Sequence, residues 1–359
     1  MINLNKNELK LKFFKDKRVL ITGHTGFKGS WLTLLLNEIG SKVIGFSKPL
    51  DKTNKHFNLI NIKKDIISIE GDIRDEKKLN LVFSKYKPEI VFHLAAQSIV
   101  KISYDDPLNT FSTNVIGSLN ILNAVNKCKT VKSLVYITSD KCYENKEWIW
   151  GYREDDELGG HDPYSASKAS AEILFSSFNR SFFISKKNFQ AASARAGNVI
   201  GGGDWAKNRL IPDCIRAIQK NEYLKIRNPN STRPWQHVLE PISGYLKLSY
   251  NLYINKSDFR GSWNFGPPSQ NVMNVKEVAE KIYKVLEKGK LKIIKNKINF
   301  HEANLLQLNC DKANQFLSWE PKWDLDKTLK NTALWYKRYF EKDDPREITL
   351  DQIKEYFEI

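Results

Sequence analysis

No stretch of this sequence approaches the roughly 18 to 20 uncharged apolar residues that a membrane-crossing helix needs, so no membrane span is expected. The segment from Met1 to Lys17 is studded with Lys and Asn and lacks the apolar run of a secretion signal, which predicts a protein that stays in the cytoplasm. Cysteine is scarce too. Cys128, Cys142, Cys214 and Cys310 lie far apart, with no CxxC and no His at zinc-ligand spacing, so the expectation is free thiols in a reducing compartment and no metal. Acidic residues are in deficit, 41 against 57 basic ones, leaving a net charge of +16. Such a surplus raises the question of a nucleic-acid partner. The Lys residues, however, are dispersed singly among Asn and Ile instead of clustering on one helix or arm, which reads as a solvated surface. No nucleic acid is expected, although a positive field helps to gather a small anionic substrate.

What the chain does have is enough apolar material to fold. At 359 residues, 41% apolar and 12% aromatic, it should form two domains or one large one. From Arg18 onward, short apolar runs alternate with helix-period segments. Strands are predicted at Arg18 to Thr22, Lys42 to Phe46, Ile67 to Glu70, Glu89 to Leu94, Ser133 to Thr138 and Phe189 to Arg195. Helices are predicted at Trp31 to Ile39, Glu76 to Tyr86, Thr110 to Asn126 and Tyr164 to Phe183. This alternation specifies an α/β fold, a doubly wound parallel sheet covered on both faces. Beyond Gly197 the texture changes to loops marked by Pro212, Pro229, Pro234, Pro241, Pro267 and Pro268, with helices expected at Lys276 to Glu287 and Leu325 to Phe340. The division expected is a nucleotide-binding domain over 1–196 and a smaller C-terminal lobe, mainly substrate-binding, over 197–359, with chain crossings between the two.

Two motifs carry chemistry. Gly23-His24-Thr25-Gly26-Phe27-Lys28-Gly29 lies between the first strand and the first helix. Glycines there allow a tight turn and a close backbone approach, so a pyrophosphate can sit on the helix N-terminus. Asp72, after the third strand, could accept a hydrogen bond from an adenine amino group or simply serve a turn. The second motif is Tyr164-Ser165-Ala166-Ser167-Lys168. The i, i+4 spacing puts phenol and ammonium on one helix face, and the cation is expected to favour phenolate, making Tyr164 a usable base. This helix follows the fifth strand, whose end carries Thr138-Ser139-Asp140-Lys141, and the carboxyl ends of parallel strands are where such sheets bind ligands.

Together these motifs resemble the short-chain dehydrogenase/reductase superfamily, a Rossmann fold, in its extended, sugar-nucleotide-modifying branch. His93-Leu94-Ala95-Ala96-Gln97 and Asn114-Val115-Ile116-Gly117 add to the resemblance, as do the segments Thr138 to Tyr143, Trp148 to Glu154, Arg195 to Trp205 and Arg233 to Val238. Within that branch the chain is similar, over about Val19 to Trp335, to the CDP-glucose 4,6-dehydratases. The resemblance implies an NAD-dependent hydro-lyase that acts on CDP-glucose, an anionic nucleotide sugar, for deoxysugar and polysaccharide biosynthesis, working as a homo-oligomer. It implies catalytic roles for Ser139, Asp140, Lys141, Tyr164 and Lys168. Cofactor contacts are implied for Gly23, Thr25, Gly26, Phe27, Gly29, Ser47, Asp72, Ile73, Leu94, Ala95, Ala96, Gln97, Asn114, Tyr164 and Lys168. Substrate contacts are implied for Gln97, Asn198, Arg209, Arg233 and His301.

The sequence departs from the commoner dTDP-sugar dehydratases, which carry Asp-Glu where this chain has Asp140-Lys141. Lys141 can serve as a base if burial or the neighbouring Lys168 lowers its pKa, and otherwise binds an oxygen electrostatically. The second strand ends in Ser47-Lys48 without the acid that usually holds the adenosine 2′-hydroxyl; Ser47 offers a weaker contact, and Lys48 could favour a 2′-phosphate. Trp148, Trp150, Trp205 and Trp235 read as core and lobe-contact residues. The alternatives are another nucleotide-sugar dehydratase, an epimerase or reductase on the same fold, which needs no Asp140-Lys141 pair, and a non-catalytic NAD-binding protein.

Overall fold

The computed structural model of the chain describes residues 11–50, 56–268, 272–294 and 305–359. Its centre is a seven-stranded sheet. In chain order the strands are β1 (Arg18–Thr22), β2 (Lys42–Ser47), β3 (Ile67–Glu70), β4 (Ile90–His93), β5 (Ser133–Ile137), β6 (Gln190–Arg195) and β7 (Gly261–Asn264). Their spatial order is β7-β6-β5-β4-β1-β2-β3, all parallel, and the order reverses between β1 and β4.

The inner strands are apolar throughout because both faces of a parallel sheet are covered. Val19, Ile21, Ile90, Phe92 and Val135 join one core, under helix α1 (Phe27–Glu38). Leu20, Val91, Leu134 and Tyr136 join the other. Over this second face lie α2 (Glu76–Tyr86), α3, which runs Pro107–Phe111, a π turn Ser112–Gly117 and Ser118–Lys127, and α4 (Pro163–Phe178). The start of α4 is written locally: Asp162 caps it, accepting from Ser165 N at 3.0 Å, and Pro163 occupies the first turn.

The bounds of β3 and α2 fall where the sequence pattern predicts them. Helix α1 begins four residues earlier than the Trp31 start, because the last residues of the glycine loop are already helical with Gly26 as N-cap. The segment after 197 contains more helix than its prolines suggested: Leu210–Gln219 and α5 (Leu239–Tyr253) carry Pro212 and Pro241 in their first turns, where no intrahelical N–H is lost. Proline there marks starts, not loops. The chain also returns to the sheet, since β7 pairs with β6 and α5 packs on β5 and β6. A lobe built on Leu210–Gln219, Val275–Leu286 and the parallel pair Tyr223–Ile226 and Lys290–Ile293 stands over the carboxyl edge.

One buried ion pair ties this edge together. Glu172 of α4 meets Arg195 at the end of β6 at 2.8 Å, with both side chains almost wholly buried. Glu172 also accepts from Thr138, beyond the end of β5, and from Ser193 at 2.8 Å, while Arg195 donates to Tyr143 Oη at 2.7 Å and Ser262 Oγ at 2.9 Å. Removing one partner strands a charge in the interior. Arg195→Met is therefore expected to cost about 3–5 kcal/mol in urea unfolding, and adding Glu172→Gln to that variant to restore part of the loss; equal stability of wild type and Arg195→Met would contradict this reading.

Candidate functional site

The carboxyl ends of β1, β2, β4, β5 and β6 open into a cleft of about 1870 Å³ shared with the lobe. That exceeds the roughly 300–1,000 Å³ of a single small-ligand pocket, leaving room for two nucleotide-sized molecules.

The glycine loop forms its floor. Gly23 adopts φ +74° and donates from its N–H to Phe46 O at 2.8 Å; a Cβ there would lie 2.8 Å from Ala95 N, and one at Gly29 would lie 2.1 Å from Gly23 O. Only glycine permits this packing of loop, β4 end and helix. Thr25, Gly26 and Phe27 are left along the N-terminus of α1, facing the cleft, where backbone N–H groups attract phosphate. This floor fits a dinucleotide pyrophosphate. Ser47 Oγ lies 3.5 Å from Thr25 N, so the end of β2 supports the loop. Asp72 and Ile73 line the same end of the cleft. Burial works against ionising Asp72, yet hydrogen bonds from Arg74 and Lys48 bring it down to about 2. Its carboxylate is thus held by two cations, and the Lys48 charge faces Asp72 at 3.2 Å.

Leu94, Ala95, Ala96 and Gln97 follow β4 along the wall. The Gln97 amide is spent on its own turn and on α3, donating to Ile99 O at 3.1 Å and Thr110 Oγ1 at 2.9 Å and accepting from Ile99 N at 2.6 Å. Asn114, buried, accepts from Gln97 N at 2.8 Å and donates to Gln97 O and Ser167 Oγ. These two side chains position the wall.

Across the cleft from the glycine loop stand the candidate reactive groups. Ser139 donates to Asp140 Oδ1 at 2.9 Å and lies close enough to the Tyr164 phenol to favour its ionised form. Asp140 Oδ2 lies 3.5 Å from Asn198 Nδ2. Asn198 holds a left-handed backbone, φ +49°. Lys141, half-buried, lines the cleft, and its amine has no hydrogen bond or ion pair among the described residues. Arg209 pairs with Asp204 at 3.1 Å and reaches Ser98 Oγ at 3.3 Å; Arg233 donates to Thr232 O at 2.7 Å, farther along the cleft.

The electrostatics differ from expectation at Tyr164. Burial pushes its phenol up to about 12; Ser139 and Arg209 pull the other way, Asp140 and Asp162 add to the rise, and Lys168 is not among the main influences. Lys168 itself is lowered to about 8 by burial, while Glu172, one helical turn on, favours its charged form. The i, i+4 spacing therefore shares a helix face without making an ion pair. Four histidines, His24, His56, His93 and His237, are buried and driven down to about 4, 3, 3 and 3 by desolvation, so they are neutral packing groups.

Of the remaining expectations, His301 lies outside the described residues. Trp235 is buried, but Trp150 is 67% exposed at the tip of a turn, edge-on to Trp148, and is no core residue. Sequence reasoning passed over Lys28, inside the glycine motif, and Glu172, eight residues after Tyr164; the second was visible as the next i+4 step on the same face.

A doubly wound sheet with a glycine-loop floor, facing a Tyr, Ser and Lys at the strand ends, defines a nucleotide-dependent enzyme of the dehydrogenase/reductase type. The family model described as GDP-mannose 4,6 dehydratase matches residues 20–332. A CDP-glucose 4,6-dehydratase of Salmonella typhimurium is 44% identical over 349 residues, covering 96% of this chain and 97% of that protein. A UDP-glucose 4-epimerase of Halalkalibacterium halodurans is 27% identical, covering 89% and 96%. A dTDP-glucose 4,6-dehydratase of Bacillus anthracis, solved in complex with NAD, superposes with a TM-score of 0.74 at 23% identity, covering 92% of this chain and 99% of that one. The chain belongs to the nucleotide-sugar 4,6-dehydratase family.

The tightest constraint on the reactive loop is Gly197. A Cβ there would lie 1.7 Å from Asp140 Oδ2. Gly197→Ala is expected to displace that carboxylate and lower turnover about 100-fold, the usual cost of a misplacement of roughly 1 Å. Steady-state kinetics beside a melting curve would check this; unaltered turnover would show that Asp140 need not be where it stands.

Proposed function

We propose that this chain is a CDP-glucose 4,6-dehydratase, a hydro-lyase that uses NAD and releases the 4-keto-6-deoxy sugar nucleotide and water. The observation that carries the reading is the placing of Asp140 and Lys141, an acid–base pair, in one cleft with Tyr164 and Lys168. An epimerase needs only the latter two.

The glycine loop and the Leu94 to Gln97 wall would hold NAD, with Lys168 toward its ribose; when bound, NAD supplies a hydride acceptor that is also the donor. Lys48 is engaged by Asp72, which supports NAD over a 2′-phosphorylated form. Tyr164 takes the proton of the sugar 4-hydroxyl, sharing that hydrogen bond with Ser139. With the C4 hydride passed to that acceptor, the 4-ketone so formed would acidify C5–H. Lys141 removes this proton while Asp140 protonates the departing 6-hydroxyl, which leaves as water. Hydride reaches C6 and Lys141 returns a proton to C5, so oxidation and reduction cancel. Asn198, Arg209 and Arg233 face the nucleotide diphosphate, to which arginine offers paired charged hydrogen bonds.

Self-association is supported by Leu108, Phe111 and Ile116, exposed on α3, and Ile173, exposed on α4 packed beside it. A cytoplasmic setting is supported by four free thiols, and among the described residues no helix is long and apolar enough to cross a membrane.

Incubating the protein with CDP-glucose, dTDP-glucose and GDP-mannose in parallel and weighing the products tests the substrate. CDP-glucose should lose one water fastest; equal or faster loss from dTDP-glucose, or unchanged mass, would overturn the assignment. The two half-reactions should also separate by mutation. Tyr164→Phe is expected to suppress oxidation by roughly 10²- to 10⁴-fold. Lys141→Met should still oxidise C4 and then stall, with little exchange of the C5 hydrogen into deuterated water; exchange at the wild-type rate would assign the base elsewhere.

A further inference from the structure

We infer that Lys28 binds the diphosphate of the nucleotide-sugar substrate, gripping it from the glycine-loop side opposite Arg209. The inference rests on the nucleotide-sugar reading above and adds a contact to it.

Lys28 is the second residue of α1 and lines the cleft. A cation in the first turn of a helix opposes the macrodipole, so the position costs stability unless an anion lies near. Two further cations, Lys168 and Arg209, act on it, against one carboxylate, Asp140. The other charged groups of this cluster are accounted for. Arg209 has Asp204, Lys168 feels Glu172, and Asp140 is held by Ser139 and Asn198. Lys28 and Lys168 have no hydrogen bond or ion pair among the described residues, but Lys168 has Glu172 one helical turn away, whereas the one carboxylate acting on Lys28 is Asp140, already engaged by Ser139 and Asn198. Burial first, then Lys168 and Arg209, lower its amine to about 8, with Asp140 opposing. With Arg195 on Glu172 counted, four cations, Lys28, Lys168, Arg195 and Arg209, stand against three carboxylates, Asp140, Glu172 and Asp204, an excess of positive charge that a diphosphate offsets and a sugar hydroxyl does not.

The neighbours decide which diphosphate. The pyrophosphate of the cofactor would rest on the glycine loop at the start of α1, whereas two of the groups acting on Lys28, Arg209 and Asp140, also act on Tyr164, the residue read as reaching the sugar. Lys28 thus stands where the two ligands meet and adds its charge to the diphosphate of the sugar nucleotide.

Calorimetric titration of the full chain separates the possibilities: first NAD, then CDP-glucose or CDP into the NAD-loaded protein, for wild type, Lys28→Met and Lys28→Arg, each with a melting curve. Loss of a charge-assisted contact should weaken CDP-glucose and CDP about 10- to 100-fold in Lys28→Met. NAD binding should stay at the wild-type value and Lys28→Arg should recover most of the loss. Weakened NAD with unchanged CDP-glucose would move Lys28 to the cofactor, and unchanged binding of both would make it a packing residue; either result overturns the inference. A wild type that binds NAD but neither CDP-glucose nor dTDP-glucose nor GDP-mannose fails at the earlier reading instead, and the contact falls with it.

Discussion

The site depends on the Glu172–Arg195 pair. One buried carboxylate collects the guanidinium at the end of β6, hydroxyls from Thr138 and Ser193, and a longer contact from Ser262 of β7. A buried pair of this kind adds little net stability over an apolar replacement. What it fixes is position: α4, which carries Tyr164 and Lys168, cannot slide along the strands whose ends carry Ser139, Asp140 and Lys141. The same carboxylate is the main influence drawing Lys168 toward its charged form against desolvation. Fold and reactivity meet in this one group.

The charge pattern of the cleft follows. The four buried histidines are neutral, and the titratable groups that line the cleft include a phenol, carboxylates, lysines and the exposed His161. Tyr164, pushed up to about 12 by burial, holds its proton tightly at neutral pH. Its activation therefore belongs to the loaded site, where ligand charge and positioned cations change the balance, and not to a standing Tyr–Lys ion pair. The net charge of +16 is spread over the surface, yet Lys28, Lys141, Lys168, Arg209 and Arg233 line the cleft. Both ligands of the proposed reaction carry diphosphates, which this lining suits.

Much of this was legible in the residues. The sheet up to β6, the glycine floor and the helix of Tyr164 and Lys168 announce themselves because apolar period, glycine spacing and the Asp162-Pro163 start are local signals. The rest is tertiary. The π turn at Ser112–Gly117 has no sequence signature, and β7 is four residues, Gly261–Asn264, whose membership of the sheet is decided by pairing with β6. The role of Asp72 is set by Lys48, far away in sequence, as well as by nearby Arg74. Pro212 and Pro241 misled because proline opens a helix as readily as it breaks one. Lys28 hid inside a motif read for its glycines.

The central claim is that one cleft performs oxidation at C4, elimination across C5 and C6, and reduction at C6 without releasing the hydride. Turnover of CDP-glucose deuterated at C4, followed by NMR of the product, tests it most directly. The account predicts the deuterium in the C6 methyl group and a solvent-derived hydrogen at C5. Deuterium lost to solvent, or retained at C4 of an epimerised sugar, would contradict it.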